Sequence, residues 1–251
     1  MACRPQRFDV GIVTIGLVGS EIGNTVQSTR WLKSLCGLRI KNIVVVRDQS
    51  TRDEVLRDMN DEMDILIQEE NGISGAFNTA HKAIHDCRYV LYLNAGDRLI
   101  DRPDTSLVKL LAKELQEEQW EIMTFQSRLG KIVMPRRYVQ ALARMKGPRF
   151  ITSRIPHQST FIKTSIIVMC RYDNRLRIRM DYDLFYNQLR ANRKRVLFEK
   201  LLVEMAEGGV SSHRREGYKE ECRIHKETDW SNLHRFRLVV TEMLNCTILK
   251  K

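Results

Sequence analysis

The sequence predicts an α/β domain with a mixed, mostly parallel sheet flanked by helices. Three observations carry that expectation. Short apolar, β-rich runs recur through the first hundred residues. Segments of helical periodicity separate them and would serve as crossovers between parallel strands. The clearest run closes in a polar turn, Asn94-Ala95-Gly96-Asp97. Ligands of such sheets bind beyond the carboxyl ends of the strands, where Asp48 and residues 94–97 fall.

Taken in order, FDVGIVTIG at 8–16 reads as a buried first strand and residues 24–35 as a helix. IKNIVVVRD at 40–48 is a second buried strand. Residues 50–62 follow as a helix, with Thr51 and Glu54 spaced as a capping box. A third short strand starts at Asp64. ISGAFNTAHKAIH, 73–85, reads as a helix whose His81 and His85 lie on its surface, and RYVLYLNAGD, 88–97, as a strand. A helix is expected over 104–119 and two strands around Gly130. Residues 136–156, broken by Gly147 and Pro148, read as loop, and 159–168 restores the core pattern. Arg175, Arg177 and Arg179 alternate, so a strand there would carry three arginines on one face. Residues 181–191 read as a helix and 195–206 as a last strand. From Arg214 the chain is charged and helical, with Trp230, Leu233, Val240, Leu244 and Ile248 on one face. Two units are expected: a domain over 1–213, and a helical tail over 214–251 that packs on the domain, a partner subunit or a membrane surface.

Composition bounds the function. The 251 residues are 43% hydrophobic and 29% charged, ordinary for a chain with a real core. A net charge of +11 and a pI near 9.5 favour anionic partners: nucleic acid, phosphorylated ligands or an acidic membrane surface. The six cysteines form neither a CxxC pair nor a zinc spacing, which suggests free thiols in a reducing compartment. There is no apolar run of the ~20 residues that span a bilayer. A soluble, cytoplasmic protein is expected, with room for peripheral contact at the inner face of the cytoplasmic membrane.

Four blocks in order resemble the family 2 glycosyltransferases of the bacterial capsule, O-antigen and exopolysaccharide type. They are Asn71 to Leu99, NGISGAFNTAHKAIHDCRYVLYLNAGDRL; His157-Gln158 with Phe161-Ile162-Lys163; Asp181-Tyr182-Asp183-Leu184; and Gly208-Gly209-Val210-Ser211. The resemblance covers roughly residues 8–212. It implies a GT-A fold, the Rossmann-like nucleotide-diphospho-sugar transferase architecture. It also implies inverting transfer of a sugar from a nucleotide-sugar donor, a UDP-sugar by family habit, to a glycan or lipid-diphosphate-linked acceptor in surface polysaccharide synthesis.

The chemistry suits the matching residues. Transfer expels a nucleoside diphosphate, and a hard divalent cation, Mn2+ or Mg2+, held by carboxylate oxygen can support it. The family places an Asp-x-Asp cluster at the 94–97 turn; here Asn94 and Gly96 replace the first two acids and Asp97 is the candidate metal ligand. His213 is a second, from the late histidine that some GT-A enzymes use. An inverting transferase needs a base for the acceptor hydroxyl, and Asp181 holds that place, with Met180 where the family carries Glu. The resemblance assigns the nucleotide to Thr14, Ile15, Gly16 and Asp48, with Arg47 where an acid is common. It brings residues 72–78 to the sugar or ribose, although Gly75 stands where an Asp is frequent. Asn78 belongs to this set, and its place inside a helix is unexplained by propensity. Arg177 and Arg179 are candidates for donor or acceptor phosphate, and His157, Gln158 and Asp183 for the acceptor. Ordinary structural roles compete for each: a β-turn at 94–97, a helix N-terminus at Asp181 and Asp183, a solvated basic face at 175–179.

Two other functions fit the same residues. A nucleic-acid or polyanion-binding protein would use the basic charge, but no nucleic-acid motif is present. A degenerate transferase fold serving as a partner subunit would explain the missing acids. A homodimer fits the tail, and specific nucleic acid is not expected.

Overall fold

The structure is a computed structural model that describes residues 7–16, 18–59, 62–134, 155–185, 193–207 and 214–226. The expected closing Gly-Gly-x-Ser block, His213, most of the loop over 136–156 and the apolar tail stripe from Trp230 lie outside the described residues.

β1 (Phe8–Gly16) is buried from Asp9 to Ile15, so it has no polar face. Such a run fits the middle of a parallel sheet covered on both sides. α1 (Gly19–Ser28) and α2 (Arg30–Cys36) lead to β2 (Ile40–Val46). α3 (Gln49–Asp58), β3 (Met63–Ile67), α4 (Gly72–Ala80) and β4 (Cys87–Tyr92) follow. β1 pairs in parallel with both β2 and β4, and β3 is parallel to β2. The expectation of crossover helices therefore holds for this half.

The second half makes the sheet mixed. β5 (Arg98–Leu99), α5 (Thr105–Glu117), β6 (Ile122–Leu129) and β7 (Ile132–Met134) precede a 3-10 turn at His157–Ser159. β8 (Thr160–Lys163), α6 (Thr164–Ile167), α7 (Met180–Asp183), β9 (Arg195–Met205) and α8 (Arg214–Lys226) complete the described chain. The strand order is β3-β2-β1-β4-β8-β6-β9-β5, with β7 paired to β6. β8 is antiparallel to β4 and β6, whereas β9 is parallel to β6 with a register shift between Thr124 and Ser127. Apolar clusters cover both faces: Ile15, Phe77, Tyr92 and Tyr172 belong to one, Ile12, Leu91, Leu111 and Phe125 to the other.

Several local expectations change. The helix over 24–35 is two helices broken at Thr29, whose hydroxyl bonds the Val26 carbonyl at 2.7 Å. α3 starts earlier than its capping box predicted, because Asp48 is the cap and accepts the Thr51 N–H at 2.9 Å. Glu54, freed from that role, accepts the Gly19 N–H at 3.2 Å and ties α3 to α1. Residues 175–179 form no strand. The amides of Arg175, Arg177 and Arg179 bond side chains instead of a neighbouring strand, so the three arginines do not share one sheet face. Cys36, Cys87 and Cys170 are buried free thiols, as expected. No helix among the described residues is long and apolar enough to cross a membrane.

Candidate active site

Strand order reverses at β1, since β2 leaves on one side and β4 returns on the other. A crevice at the carboxyl ends of such strands is the usual ligand site of an α/β sheet. Close packing builds this edge. A Cβ on Gly16 would lie 2.5 Å from Ala95 Cβ and 2.8 Å from Ile22 Cγ1, so the β1 end, α1 and the 94–97 turn meet with no side chain between them. The turn requires Gly96, whose φ is 91°, a left-handed value that other residues seldom adopt. Thr25 of α1 anchors it: its hydroxyl accepts the Gly96 N–H at 3.0 Å and donates to the Asp97 carbonyl at 2.8 Å.

Two oxygens at this edge are buried without a hydrogen-bond partner among the described residues: Thr14 Oγ1 and Asn94 Oδ1. Buried polar atoms are nearly always bonded, so both call for a partner. Asp97 is 5% exposed, and its Oδ1 accepts the Ala206 N–H at 2.9 Å just beyond β9. Burial pushes its carboxyl up to about 6, while the N–H groups of Ala206 and Asn94 pull the other way. Asp48 is half-exposed at the β2 end and does two things at once. Its Oδ1 takes both the N–H and the hydroxyl of Thr51, and its Oδ2 lies 3.3 Å from Arg47 Nε. The Thr51 bonds, then Arg47, hold its carboxyl below the usual range.

α4 and the chain before α7 form the second wall. Asn78 is occupied by that chain: its amide accepts the Tyr172 N–H at 2.9 Å and donates to the Tyr172 carbonyl at 3.0 Å. This explains an Asn inside a helix as a clamp, with its second amide hydrogen directed to Asn174 Oδ1 at 3.2 Å. Ser74 adds a bond to the Leu176 carbonyl at 3.0 Å. Gly75 is required by close approach, since its Cβ would sit 2.2 Å from the Glu70 carbonyl oxygen. The Asp frequent in the resembling family therefore does not fit this backbone. Gly75→Ala is expected to cost about 1–3 kcal/mol through forced backbone movement. Thermal denaturation checks it, and an unchanged Tm would refute the clash.

Asp181 opens α7, half-buried, with its Oδ1 accepting the Tyr182 N–H at 2.8 Å. Burial pushes its carboxyl up; Arg179 opposes that shift and Glu220 reinforces it. Met180, Tyr182 and Leu184 pack in the same cluster as Ile15 and Tyr92. Ile15 stands one residue before Gly16 and Tyr92 two before Asn94, so this cluster reaches the carboxyl ends of β1 and β4. Asp183 is half-buried on the same turn. Arg177 is exposed, whereas Arg179 is ion-paired to Glu221 at 2.6 Å.

His157 is 3% exposed, stacked on Tyr92 at 4.6 Å, and hydrogen-bonded through Nε2 to the Tyr172 hydroxyl at 2.8 Å. It is a core residue here, and only Gln158 of the pair reaches partial exposure. His81 is a correction: its Nε2 meets the Tyr92 hydroxyl at 2.8 Å, so it faces inward. Sequence reading missed this ring cluster because polar rings break the apolar pattern that marks a core. It also missed Thr25 and Glu220, whose partners lie far away in sequence.

No family model and no curated protein matches the sequence. Solved structures do match in shape. TarS from S. aureus superposes with a TM-score of 0.60 at 13% identity over 92% of this chain. The chain spans 42% of that protein's length. A glucosyl-3-phosphoglycerate synthase from Mycobacterium tuberculosis, solved with Mn2+, UDP and phosphoglyceric acid, gives 0.56 at 13% identity, covering 88% of this chain and 78% of that one. The mannosyltransferase PcManGT from Pyrobaculum calidifontis, solved with GDP-Man and Mn2+, gives 0.59 at 11% identity, with 90% and 66% covered. The chain has the GT-A fold.

Within the GT-A fold, the 94–97 turn is the place to test for a cation. Among the described residues no group of three or more His, Cys, Asp or Glu side chains could hold a metal. The turn offers one carboxylate, half satisfied by Ala206, beside the unpartnered Asn94 oxygen. That set fits a cation held mainly by donor phosphates and water, as Mg2+ commonly is. It does not fit a cage made of protein alone.

Proposed function

We propose that this chain is an inverting glycosyltransferase that moves a sugar from a nucleotide-sugar donor, a UDP-sugar, to a glycan or lipid-diphosphate-linked saccharide. The observation that carries the reading is the pair of unpartnered buried oxygens, Thr14 Oγ1 and Asn94 Oδ1, at the carboxyl edge of a GT-A sheet. A bound donor supplies the missing partners. Thr14, Ile15, Gly16 and Asp48 form the nucleotide end. Asp97, with Asn94, holds a divalent cation, which when bound offsets charge on the leaving diphosphate. Asp181 accepts the proton of the acceptor hydroxyl, and its raised basicity suits that task. Arg177, exposed beside α7, is a contact for the phosphate of the acceptor. His213 as a further metal ligand, Gln158 and Asp183 at the acceptor, and a role in surface polysaccharide synthesis belong to the same proposal.

Thermal shifts with UDP, GDP, CDP and TDP, each with and without manganese, test the reading. UDP is expected to stabilise the protein by ~2.7 kcal/mol at a hundredfold excess over Kd. The manganese-dependent part is expected to disappear in Asp97→Ala. No shift with any nucleotide would favour a polyanion-binding protein or a degenerate partner subunit.

A further inference from the structure

α8 is a charged helix, and one of its stripes turns inward on the segment that carries Asp181. Gly217, Glu220, Glu221 and Ile224 recur at i, i+3, i+4 and i+7, one face of a helix. Each meets the 177–180 region or the core beside it. A Cβ on Gly217 would lie 3.0 Å from the Arg179 guanidinium carbon, and Glu221 pairs with Arg179. Ile224 joins the cluster containing Met180 and Tyr182. Glu220, 8% exposed, accepts three backbone N–H groups: Arg177 at 2.8 Å on Oε1, and Ile178 at 2.9 Å and Arg179 at 2.8 Å on Oε2.

These bonds complete a set. Asn78 and Ser74 of α4 hold the Tyr172 backbone and the Leu176 carbonyl. Asp173 takes the Arg175 N–H at 2.8 Å. The Leu176 N–H bonds the Asp173 carbonyl at 3.0 Å, the amides of Arg177, Ile178 and Arg179 go to Glu220, and the Asp183 N–H then bonds the Arg179 carbonyl at 2.9 Å to start α7. Two elements distant in sequence therefore pin the chain that leads into Asp181, α4 at Tyr172 and Leu176 and α8 at 177–179. A neutral amide at 220 would offer one acceptor oxygen and turn an NH2 group toward donors, so it cannot replace the carboxylate.

We propose that Glu220 is a positioning residue for glycosyl transfer: its carboxylate fixes the 177–179 turn and so sets Asp181 toward the acceptor, which makes the helix after residue 213 part of the catalytic apparatus. The proposal rests on Asp181 being the base. Its signature is a fall in kcat without a change in donor KM, because the nucleotide end of the site lies on β1, β2 and β4.

The test compares the full-length wild type with Glu220→Gln, Glu220→Asp and Ile224→Val. Asp keeps the charge but withdraws the oxygens by one methylene, and Val loosens α8 packing while leaving the carboxylate in place. Amide hydrogen exchange over residues 174–185 is read first, since it needs no substrate. UDP release is then measured with whichever of UDP-glucose, UDP-galactose and UDP-N-acetylglucosamine the wild type turns over fastest. In Glu220→Gln and Glu220→Asp, exchange at 177–179 is expected to rise at least tenfold, and kcat to fall at least tenfold at unchanged donor KM. Ile224→Val is expected to keep wild-type kcat. Unchanged exchange, or a donor KM that rises in step with the fall in kcat, overturns the proposal; with Asp181→Asn run in parallel, full activity in that variant sinks the base assignment instead.

Discussion

Replacing Asp181 with asparagine is expected to lower kcat by about 10²–10⁴-fold, the usual contribution of a placed general base. Donor affinity should stay unchanged, because no nucleotide contact is assigned to α7. The side chain keeps its size and its acceptor oxygen for the Tyr182 N–H, so the fold has no reason to respond. What is lost is the capacity to take a proton. The pH profile offers a second reading. Burial and the Glu220 carboxylate push Asp181 up and the Tyr182 N–H and Arg179 pull it down, with a net rise; burial also holds the neighbouring Tyr172 phenol neutral. The acid limb of kcat should therefore lie above the ordinary carboxylate value of about 3.9. Asp181→Asn with undiminished turnover would remove the base from the proposed mechanism.

Stability is expected to fall steeply as pH drops below about 6.5, the unperturbed histidine value. The cause is the ring cluster under α4. Burial lowers His157 to about 3 and His81 to about 4, each further depressed by a neighbouring histidine. Both are neutral in the fold at pH 5, whereas they are protonated in the unfolded chain. The unfolded state then binds more protons, so stability rises with pH through this window and is complete above about 6.5. Each histidine contributes up to about 1.4 kcal/mol per pH unit, so the pair removes up to about 4 kcal/mol at pH 5. Asp9 and Asp48, both depressed, lose their contributions only below the ordinary carboxylate value of 3.8; Asp97, raised to about 6, takes up a proton in the fold as pH falls through this window and so offsets part of the histidine loss. Urea unfolding at pH 7, 6 and 5 measures the slope. His157→Phe keeps a ring against Tyr92 and is expected to remove about half of it; an unaltered slope would assign the acid sensitivity elsewhere.

Much of the fold could be read from the chain. The unbroken burial of β1, the alternation of strand and helix through β4, and the Gly130 hairpin follow from short-range pattern, and pattern is what a sequence displays. The glycine-bearing turn at 94–97 and the acid opening α7 were marked in the same way. Boundaries moved where a side chain found a distant partner. Asp48 displaced Thr51 as the cap of α3, leaving Glu54 to reach Gly19 across 35 positions.

Sequence alone determined the class of this protein: an α/β sheet with polar carboxyl-edge turns, a family resemblance in four ordered blocks, and a short set of candidate acids. Tertiary packing assigned those acids their circumstances. It sank Asp97 beneath the surface against Ala206, spent Asn78 on Tyr172, and enclosed His81 and His157 among aromatic rings. It also brought Glu220 to three amides more than forty residues away. The physical reason is that strand and helix periodicity are local, whereas a carboxylate's basicity depends on which groups share its space. Desolvation and hydrogen bonding act over a few ångströms, and residues that close can lie anywhere along the chain.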